Sequence, residues 1–384
     1  MTTSRYDVIV AGVGGMGSAA VYHLARRGMK VLGLEQFDIP HDRGSSHGVS
    51  RIIRLAYAEH PDYVPLLWRS YDLWRDLENQ AGERLLFMTG GIDAGARNSE
   101  IVRGSLRSCK THRLRHETLD ARELHRRFPG FRLPRTMMGV YQPDAGFLLP
   151  ERCIVAHVEH AQALGAEIRG REPVIDWQVR RGEVVVSTRH RTYHARKLVI
   201  TAGAWARELV PELASAAVPE RQVLIWTQPL RLERYALGAF PVFNLDAPEG
   251  RFYGFPVHSV PGFKLGKYHH RGEIVDPGRM DRECHDEDEA VLRAGIRKYF
   301  PDANGPTMAM KTCMFTNSPD EHFILDLHPA FPQVAIAAGF SGHGFKFCSV
   351  VGEIMTELVL DGRTRLKTRM FRFDRPAIRR AIRR

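Results

Sequence analysis

The feature that most constrains this chain is a glycine-rich turn near its start, set between an apolar run and a helical segment. Residues 6–10 read YDVIV, a β-branched run that favours a strand buried on both faces. Gly12, Gly14 and Gly17 follow with the spacing G-x-G-x-x-G, and apolar side chains then recur at helical intervals. A second apolar run, KVLGL at 30–34, predicts the next parallel strand. The chain therefore begins with a βαβ unit.

Each glycine of this turn has a role that a side chain would prevent. Gly12 permits the tight turn, Gly14 lets the backbone approach a pyrophosphate, and Gly17 allows the helix to pack closely on the strand. The helix N-terminus adds N–H donors and positive potential. Glu35 ends the second strand, where a carboxylate accepts hydrogen bonds from ribose hydroxyls and repels a 2′-phosphate. The pattern predicts FAD or NAD rather than NADP.

A later segment favours FAD. Residues 198–205 read LVITAGAW, in which small residues follow directly after a β-run, as in the later strand of FAD-binding folds that returns to the cofactor. We therefore place Ala202, Gly203 and Trp205 at the cofactor, together with Gln36 and Val174. An NAD-dependent dehydrogenase, which would show no yellow colour, stays open as an alternative.

The remaining pattern predicts an α/β (α+β) fold, in which a Rossmann-like FAD-binding domain carries an inserted, mixed, largely antiparallel β-sheet substrate domain. Residues 60–83, 153–165 and 344–360 are expected to form helices, and residues 183–187, 197–201 and 334–338 to form strands. Short runs between turn residues predict antiparallel strands over 218–320. The FAD-binding domain is expected to comprise 1–84, 151–217 and 322–384, and the substrate domain 85–150 and 218–321.

Charge and apolar patterning narrow the class of protein. The formal net charge is +11, but residues 363–384 hold nine Arg and one Lys against one Asp, so this segment contributes +9 and the body is nearly neutral. We expect a solvated basic C-terminal segment, while an RNA or acidic surface stays open as its partner. No signal-peptide core and no long apolar run is seen. We expect a cytoplasmic protein with no membrane partner, and the composition of the body does not favour a nucleic-acid partner.

The five cysteines are an odd number and are widely spaced. No C-x-x-C pair and no Cys/His cluster with zinc-site spacing occurs among them. The cysteine pattern therefore predicts neither a disulfide framework nor a metal site. From the residues alone, Cys313 is a small buried residue in a strand.

Three further segments carry a specific resemblance: GSSHGVSRIIR (44–54), CMFTNSPDEHFILDLHP (313–329) and AAGFSGHGFKF (337–347). With the glycine turn, they make the chain closely resemble the monomeric sarcosine oxidase family of flavoenzymes, which includes N-methyltryptophan oxidase and pipecolate oxidase. The similarity runs from about residue 6 to 376. The resemblance implies oxidation of a secondary amine to an imine with FAD, followed by hydrolysis of the imine and reduction of O2 to hydrogen peroxide.

The same resemblance assigns the cofactor side of the site. It implies a thioether between FAD and Cys313, whereas Cys348 is expected only to pack. Ser45, His47 and Ser50 belong to a loop with cofactor contacts, and the glycine-rich segment near the C-terminus supplies Gly342, Gly344 and Phe345. Lys264 matches a lysine near the reactive edge of the flavin, where a cation stabilises reduced oxygen species, and Arg51 matches a second cation there.

On the substrate side, the resemblance implies that Arg54 and Lys346 bind the carboxylate, because a carboxylate in a water-poor cavity requires a cation. Tyr253 and His269 are expected to flank the amine, and no general base is assigned. His270 stays open as an alternative, because one residue more than in sarcosine oxidase separates Lys264 from the first histidine. Phe315 stands in place of a tyrosine and Asn244 in place of an apolar residue, so the resemblance leaves the preferred amine open.

Three hypotheses about the function stay open. The first is an FAD-dependent oxidase of a free N-methyl or cyclic amino acid, using O2 and acting as a monomer. The second is a biosynthetic relative that oxidises a cyclic imine precursor. The third is a flavoprotein acting on tRNA, with the Arg-rich segment as its electrostatic contact.

Overall fold

A computed structural model describes residues 5–383 of the chain. The strands are β1 (Arg5–Ala11), β2 (Val31–Leu34), β3 (Arg51–Ile53), β4 (Leu86–Met88), β5 (Gly91–Ala96), β6 (Glu117–Asp120), β7 (Met137–Gln142), β8 (Gly146–Leu148), β9 (Glu167–Arg169), β10 (Val174–Arg180), β11 (Glu183–Thr188), β12 (Thr192–Ile200), β13 (Val218–Thr227), β14 (Val242–Ala247), β15 (Gly250–Phe255), β16 (Phe263–Lys267), β17 (Thr307–Asn317), β18 (Ile324–His328) and β19 (Phe331–Ala338).

The α-helices are α1 (Gly15–Arg26), α2 (Tyr63–Ala81), α3 (Glu100–His112), α4 (Ala121–Arg127), α5 (Pro150–Ala163), α6 (Ala206–Leu209), α7 (Asp286–Tyr299), α8 (Cys348–Asp361) and α9 (Pro376–Ile382). Short 3-10 turns lie at Gly203–Trp205, Pro211–Leu213, Leu232–Arg234, Pro301–Ala303, Phe345–Phe347 and Arg369–Phe371. No helix within residues 5–383 has the length and apolar character needed to cross a membrane.

The first sheet is built around parallel strands from distant parts of the chain. Strands β9, β2, β1, β12 and β19 lie side by side in parallel, and β18 adds an antiparallel edge next to β19. The hairpin β10–β11 extends the first half of β12. Helices α1, α2, α5 and α8 share a buried apolar core with one face of this sheet. The expected Rossmann-like architecture is confirmed.

The second sheet has eight strands in the order β17-β13-β16-β15-β14-β5-β7-β6. The pairing of β14 with β5 is parallel and the other pairings are antiparallel, so the sheet is mixed and largely antiparallel, as expected. Its strands lie within 91–142 and 218–317, inside the ranges expected for the substrate domain. A small third sheet, β3-β8-β4, joins segments assigned to different domains. The exact domain boundaries stay a prediction.

The expectation of short antiparallel strands over 218–320 did not include helix α7 (Asp286–Tyr299). Leu292, Ile296 and Tyr299 recur at helical spacing and are fully buried against the second sheet. Four acidic residues in the first turn and two basic residues in the last turn favour the helix dipole. The apolar stripe of α7 is narrow and is surrounded by charged residues, so the sequence pattern alone does not predict this helix.

The expectation that the C-terminal segment is solvated is also wrong in part. Phe371, Phe373 and Ile378 are buried, and Phe373 and Ile378 pack on the core of the parallel sheet. Arg375 is 8% exposed and donates two hydrogen bonds of 2.8 Å to the carboxylate of Asp320. Apolar residues at alternate positions thus dock the segment on the body while most of its arginines stay exposed.

Candidate active site

A cavity extends from the glycine turn after β1 to the face of the second sheet. Gly12, with a φ of +93°, occupies the left-handed region that favours glycine. A β-carbon on Gly14 would meet nothing within 4 Å, so this position leaves open space beside the cavity. The first residues of α1 line the same space, and no side chain caps the helix. The turn therefore presents free backbone to a ligand.

Glu35 lies at the end of β2, beside this turn, and is 4% exposed. Its carboxylate accepts hydrogen bonds from the backbone N–H groups of Val13, at 2.8 Å, and Phe37, at 3.1 Å. These two bonds fix the carboxylate at the cavity wall. A carboxylate oxygen has further lone pairs, so Glu35 retains capacity to accept bonds from a ligand.

Cys313 lies on β17 in the cavity wall, 4% exposed, with Arg51 beside it. One Nη of Arg51 lies 3.6 Å from the Cys313 Sγ and donates at 2.8 Å to the backbone oxygen of Ser45. The other Nη donates to the backbone oxygen of Ser50. These bonds hold a guanidinium next to the sulfur of Cys313.

Lys264 lies behind this part of the wall rather than in it. It is 2% exposed, and its Nζ donates to the backbone oxygens of Gly48 and Ser50 and to the Ser50 hydroxyl, at 2.6 to 3.0 Å. The ammonium also lies 4.2 Å from the ring centroid of Phe255, a residue of the cavity wall. Burial holds the pKa of Lys264 well below its usual value.

At the other end of the cavity, Arg54 is 4% exposed and has charged partners on two sides. Its Nη2 donates to both oxygens of Glu59, at 2.9 and 3.2 Å, and its Nε lies 3.3 Å from Oδ2 of Asp93. Arg251 donates to the same Glu59 at 2.9 Å. These ion pairs hold the pKa of Glu59 well below its usual value despite its burial.

Lys346 faces the same region, and its Nζ donates to the backbone oxygen of His343 at 2.7 Å. Burial, followed by repulsion from Arg54, lowers the pKa of Lys346 to about 7. With Lys346 protonated, Arg54, Arg251 and Lys346 supply three positive charges against the two carboxylates of Glu59 and Asp93. One positive charge is left, which a single carboxylate of a ligand would neutralise.

Aromatic side chains enclose this end of the cavity. The ring centroid of Tyr268 lies 5.2 Å from that of Tyr253 and 5.5 Å from that of Phe315, and all three residues line the cavity. The guanidinium of Arg251 lies over the Tyr268 ring at 4.4 Å. The walls therefore exclude water on several sides of the cationic group.

Comparison with known proteins identifies the family. The family model described as FAD dependent oxidoreductase matches residues 7–358. The chain is 44% identical over 369 residues to a monomeric sarcosine oxidase of Streptomyces avermitilis, covering 94% of each protein. The chain belongs to the sarcosine oxidase family of FAD-dependent oxidoreductases.

Two other similarities lie within the same family of folds. An N-methyl-L-tryptophan oxidase of Yersinia pestis is 35% identical over 353 residues, covering 91% of this chain and 93% of that protein. The solved structure of NikD, described as an unusual amino acid oxidase essential for nikkomycin biosynthesis, aligns with a TM-score of 0.84 at 26% identity, over 96% of this chain and 98% of that one. FAD is therefore the cofactor of the family, and the open turn at Gly14 and the carboxylate of Glu35 fit it.

Most residues expected from the sequence line one cavity. On the cofactor side these are Gly12, Gly14, Glu35, Gln36, Ser45, Arg51, Val174, Ala202, Gly203, Trp205, Cys313, Gly342, Gly344 and Phe345. On the substrate side they are Arg54, Asn244, Tyr253, Phe315 and Lys346. The structure thus brings together segments that lie up to 334 residues apart in sequence.

Gly17, His47 and Ser50 support the cavity without lining it. A β-carbon on Gly17 would overlap the backbone oxygen of Gly12, so Gly17 allows α1 to pack on the turn. His47 is 2% exposed, and burial holds its pKa well below the usual value. Ser50 binds Lys264, as described above.

The expectation that His269 flanks the amine is wrong in this structure. His269 follows β16 in a turn with a φ of +53° and bridges Glu220, at 2.8 Å, and Glu321, at 3.2 Å, outside the cavity lining. His270, the alternative, is buried against Asp288 at 3.0 Å. Tyr268, the residue before His269, lines the cavity wall instead. Both histidines lie beyond it in the turn that follows β16.

Sequence reasoning also missed Glu59, Asp93, Arg251 and Tyr268. Three of these are charged groups on separate elements that meet only in the folded chain. Asp93 lies between the buried Ile92 and Ala94 on β5, and no local pattern in the sequence indicates its ion pair. Among residues 5–383, no group of His, Cys, Asp and Glu side chains is arranged to hold a metal ion.

Proposed function

We propose that this protein oxidises secondary amino acids, N-methylated or cyclic, to imines that hydrolyse in water, with O2 reduced to hydrogen peroxide. The observation that carries the proposal is the position of Arg54 and Lys346, whose side chains form a buried cationic group in the same cavity as Gly14 and Glu35. A carboxylate-binding end and a dinucleotide-binding end in one cavity support the binding of an amino acid next to a flavin.

The carboxylate of the substrate binds to Arg54 and Lys346. The Nη2 and Nε of Arg54 already face Glu59 and Asp93, whereas its Nη1 has no hydrogen bond to any residue within 5–383. Nη1 is therefore the donor that this guanidinium offers to a ligand. Burial in a low-dielectric site strengthens this charge-assisted bond.

The amine binds in its neutral form beside Tyr253 and Tyr268. Nearby cations and the exclusion of water by aromatic walls disfavour an ammonium ion, so the pKa of the bound amine falls. A neutral amine has the free electron pair that the oxidation requires. No side chain is needed as a general base in this scheme.

FAD held in this cavity would supply the two-electron oxidation of the amine and the reduction of O2. Arg51 holds positive charge beside the cofactor part of the cavity, where anionic oxygen species are stabilised electrostatically, and Lys264 adds a second positive charge when it is protonated. Lys264 acts from behind the wall, since its three hydrogen bonds fix the ammonium under Phe255.

We further propose that Cys313 is joined to FAD by a thioether. The support is the exposure of Cys313 to the cavity and the 3.6 Å approach of Arg51 to its sulfur. Acid precipitation tests this point, because covalent flavin stays in the pellet. Cys313→Ser is expected to release the yellow colour into the supernatant, and a yellow wild-type supernatant would overturn the attachment.

The function is tested by following hydrogen peroxide formation with a panel of amines. The panel contains sarcosine, other N-methyl amino acids, proline and pipecolate, with the corresponding primary amino acids as controls. We expect peroxide from one or more secondary amino acids and loss of activity in Arg54→Met. A flavin-loaded protein that oxidises none of them would overturn the proposal.

The same panel separates an N-methyl amino acid oxidase from a biosynthetic oxidase of cyclic imines, the second candidate. NikD, described as an unusual amino acid oxidase, supports keeping this candidate. Cytoplasmic location and a monomeric state belong to the same proposal, supported by the composition and by the name of the Streptomyces avermitilis relative.

A further inference from the structure

Beside the Nε of Arg54 lies a buried polar group formed by three elements. Asp93 of β5 is 3% exposed, Asn244 of β14 is 1% exposed, and Ser105 of α3 is fully buried. The parallel register places Asn244 directly beside Asp93. No residue of this group was expected to act on Arg54.

Asp93 is the centre of the group and is held by two hydrogen bonds. The amide Nδ2 of Asn244 donates to Oδ1 at 2.8 Å, and the Ser105 hydroxyl donates to Oδ2 at 2.6 Å. A carboxylate in such a setting accepts only, so the amide nitrogen of Asn244 must face it. Fixed on both oxygens, Asp93 cannot rotate freely.

The same Oδ2 of Asp93 lies 3.3 Å from the Nε of Arg54, although the N–H does not point along this line. Glu59 accepts hydrogen bonds from Nη2. The two carboxylates therefore hold Nη2 and Nε and leave Nη1 for the ligand. Asp93 lies on β5 and is anchored by one residue of β14 and one residue of α3.

We infer that Asp93 is a positioning residue for substrate binding, which orients Arg54 and is itself held by Ser105 and Asn244. The inference rests on the proposed function, because it concerns the residue that binds the substrate carboxylate. Loss of the charge at position 93 frees the guanidinium to turn toward Glu59 and weakens its bond to the ligand.

Binding of methoxyacetate to the holoenzyme, measured by calorimetry, tests this inference without turnover, because its ether oxygen replaces the oxidisable amine. We expect Asp93→Asn to raise the Kd about tenfold. Ser105→Ala, which changes a residue outside the cavity, should raise the Kd about threefold. Thr227→Val, which removes another fully buried hydroxyl at the far end of β13, should leave it unchanged.

Steady-state kinetics with the best amine of the panel provide the second readout. We expect Asp93→Asn to raise KM about tenfold and to change kcat by less than threefold, since Arg54 binds the carboxylate and not the reacting bond. A Kd for methoxyacetate within twofold of wild type in both Asp93→Asn and Ser105→Ala would overturn the inference. If Asp93→Asn does not fold, the Ser105→Ala value alone decides.

The proposed function and the role of Asp93 are contradicted by different results. If the wild-type holoenzyme neither binds methoxyacetate nor oxidises a secondary amino acid, the proposed function is wrong. If it does both and the variants bind methoxyacetate as the wild type does, only the role of Asp93 is wrong.

Discussion

Gly17 on α1 lies so close to the backbone oxygen of Gly12 that a single added methyl group would overlap it. Gly14, between them, has open space beside its α-carbon. We therefore expect Gly17→Ala to prevent folding of the apoprotein, whereas Gly14→Ala leaves the apoprotein's Tm unchanged and weakens FAD binding at least tenfold. Thermal unfolding and flavin titration of the two apoproteins measure this contrast. Equal Tm values for both variants would contradict it.

Lys346 predicts a pH dependence of ligand affinity. Its pKa is lowered to about 7 in the free protein, and only the ammonium form attracts a carboxylate. Below pH 7 the affinity for methoxyacetate should be constant, and above pH 7 it should fall by up to tenfold per pH unit as binding takes up a proton. Calorimetry in buffers of different ionisation enthalpy measures that uptake.

Lys346→Met is the control for this pH dependence. It should bind methoxyacetate weakly and with no change between pH 6 and 9. A wild-type affinity that does not vary over this range would contradict the assignment to Lys346.

His269 predicts a pH dependence of stability. Hydrogen bonds that its ring donates to the carboxylates of Glu220 and Glu321 raise the pKa of His269 to about 10, above the unfolded value of 6.5. The folded state therefore binds the proton more tightly, so the stabilisation is complete below pH 6.5 and is lost as the pH rises through 10. His269→Asn, which suits the left-handed backbone, should reduce the free energy of unfolding by about 1 kcal/mol at pH 6, since the pair is half-exposed.

Urea unfolding at pH 6 and at pH 10.5 measures this difference. At pH 10.5 wild type and His269→Asn should be equally stable. An unchanged difference between the two proteins at both pH values would show that the histidine acts by packing and not by charge.

Arg375 predicts that the C-terminal segment stabilises the fold. Its guanidinium bonds to both oxygens of Asp320 and to the backbone oxygens of His322 and Phe323. Arg375→Ala should lower the free energy of unfolding by about 3 kcal/mol, because it leaves the Asp320 carboxylate without its partner. The exposed Arg380, changed to Ala, should alter it by less than about 0.5 kcal/mol. Chemical denaturation compares the two.

The parts of the fold that depend on local pattern could be predicted from the sequence. The turn at Gly12 to Gly17, the strand before it and the acid at Glu35 lie within one short segment, and their roles follow from backbone geometry. Helix α7 was missed because charged residues surround its buried stripe. The docked C-terminal segment was missed because net charge concealed Phe371 and Phe373.

The candidate site shows the same division. Residues within recognisable motifs, such as Arg54 and Lys346, were expected at the cavity. Asp93 and Arg251 were not, because their function depends on long-range pairing that no local pattern records. Tyr268 lines the cavity where His269 was expected, because the backbone of the turn after β16 decides which side chain reaches the cavity wall.

The parallel sheet that carries the glycine turn has β1 at its centre and β19 (Phe331–Ala338) near the end of the chain. The N-terminal βαβ unit by itself therefore lacks β12 and β19 on one side of its sheet and lacks α8, which packs on α1. A fragment that stops before β19 also lacks Gly342, Gly344 and Lys346 of the cavity wall. Retention of the cofactor therefore distinguishes a chain that contains these segments from one that lacks them.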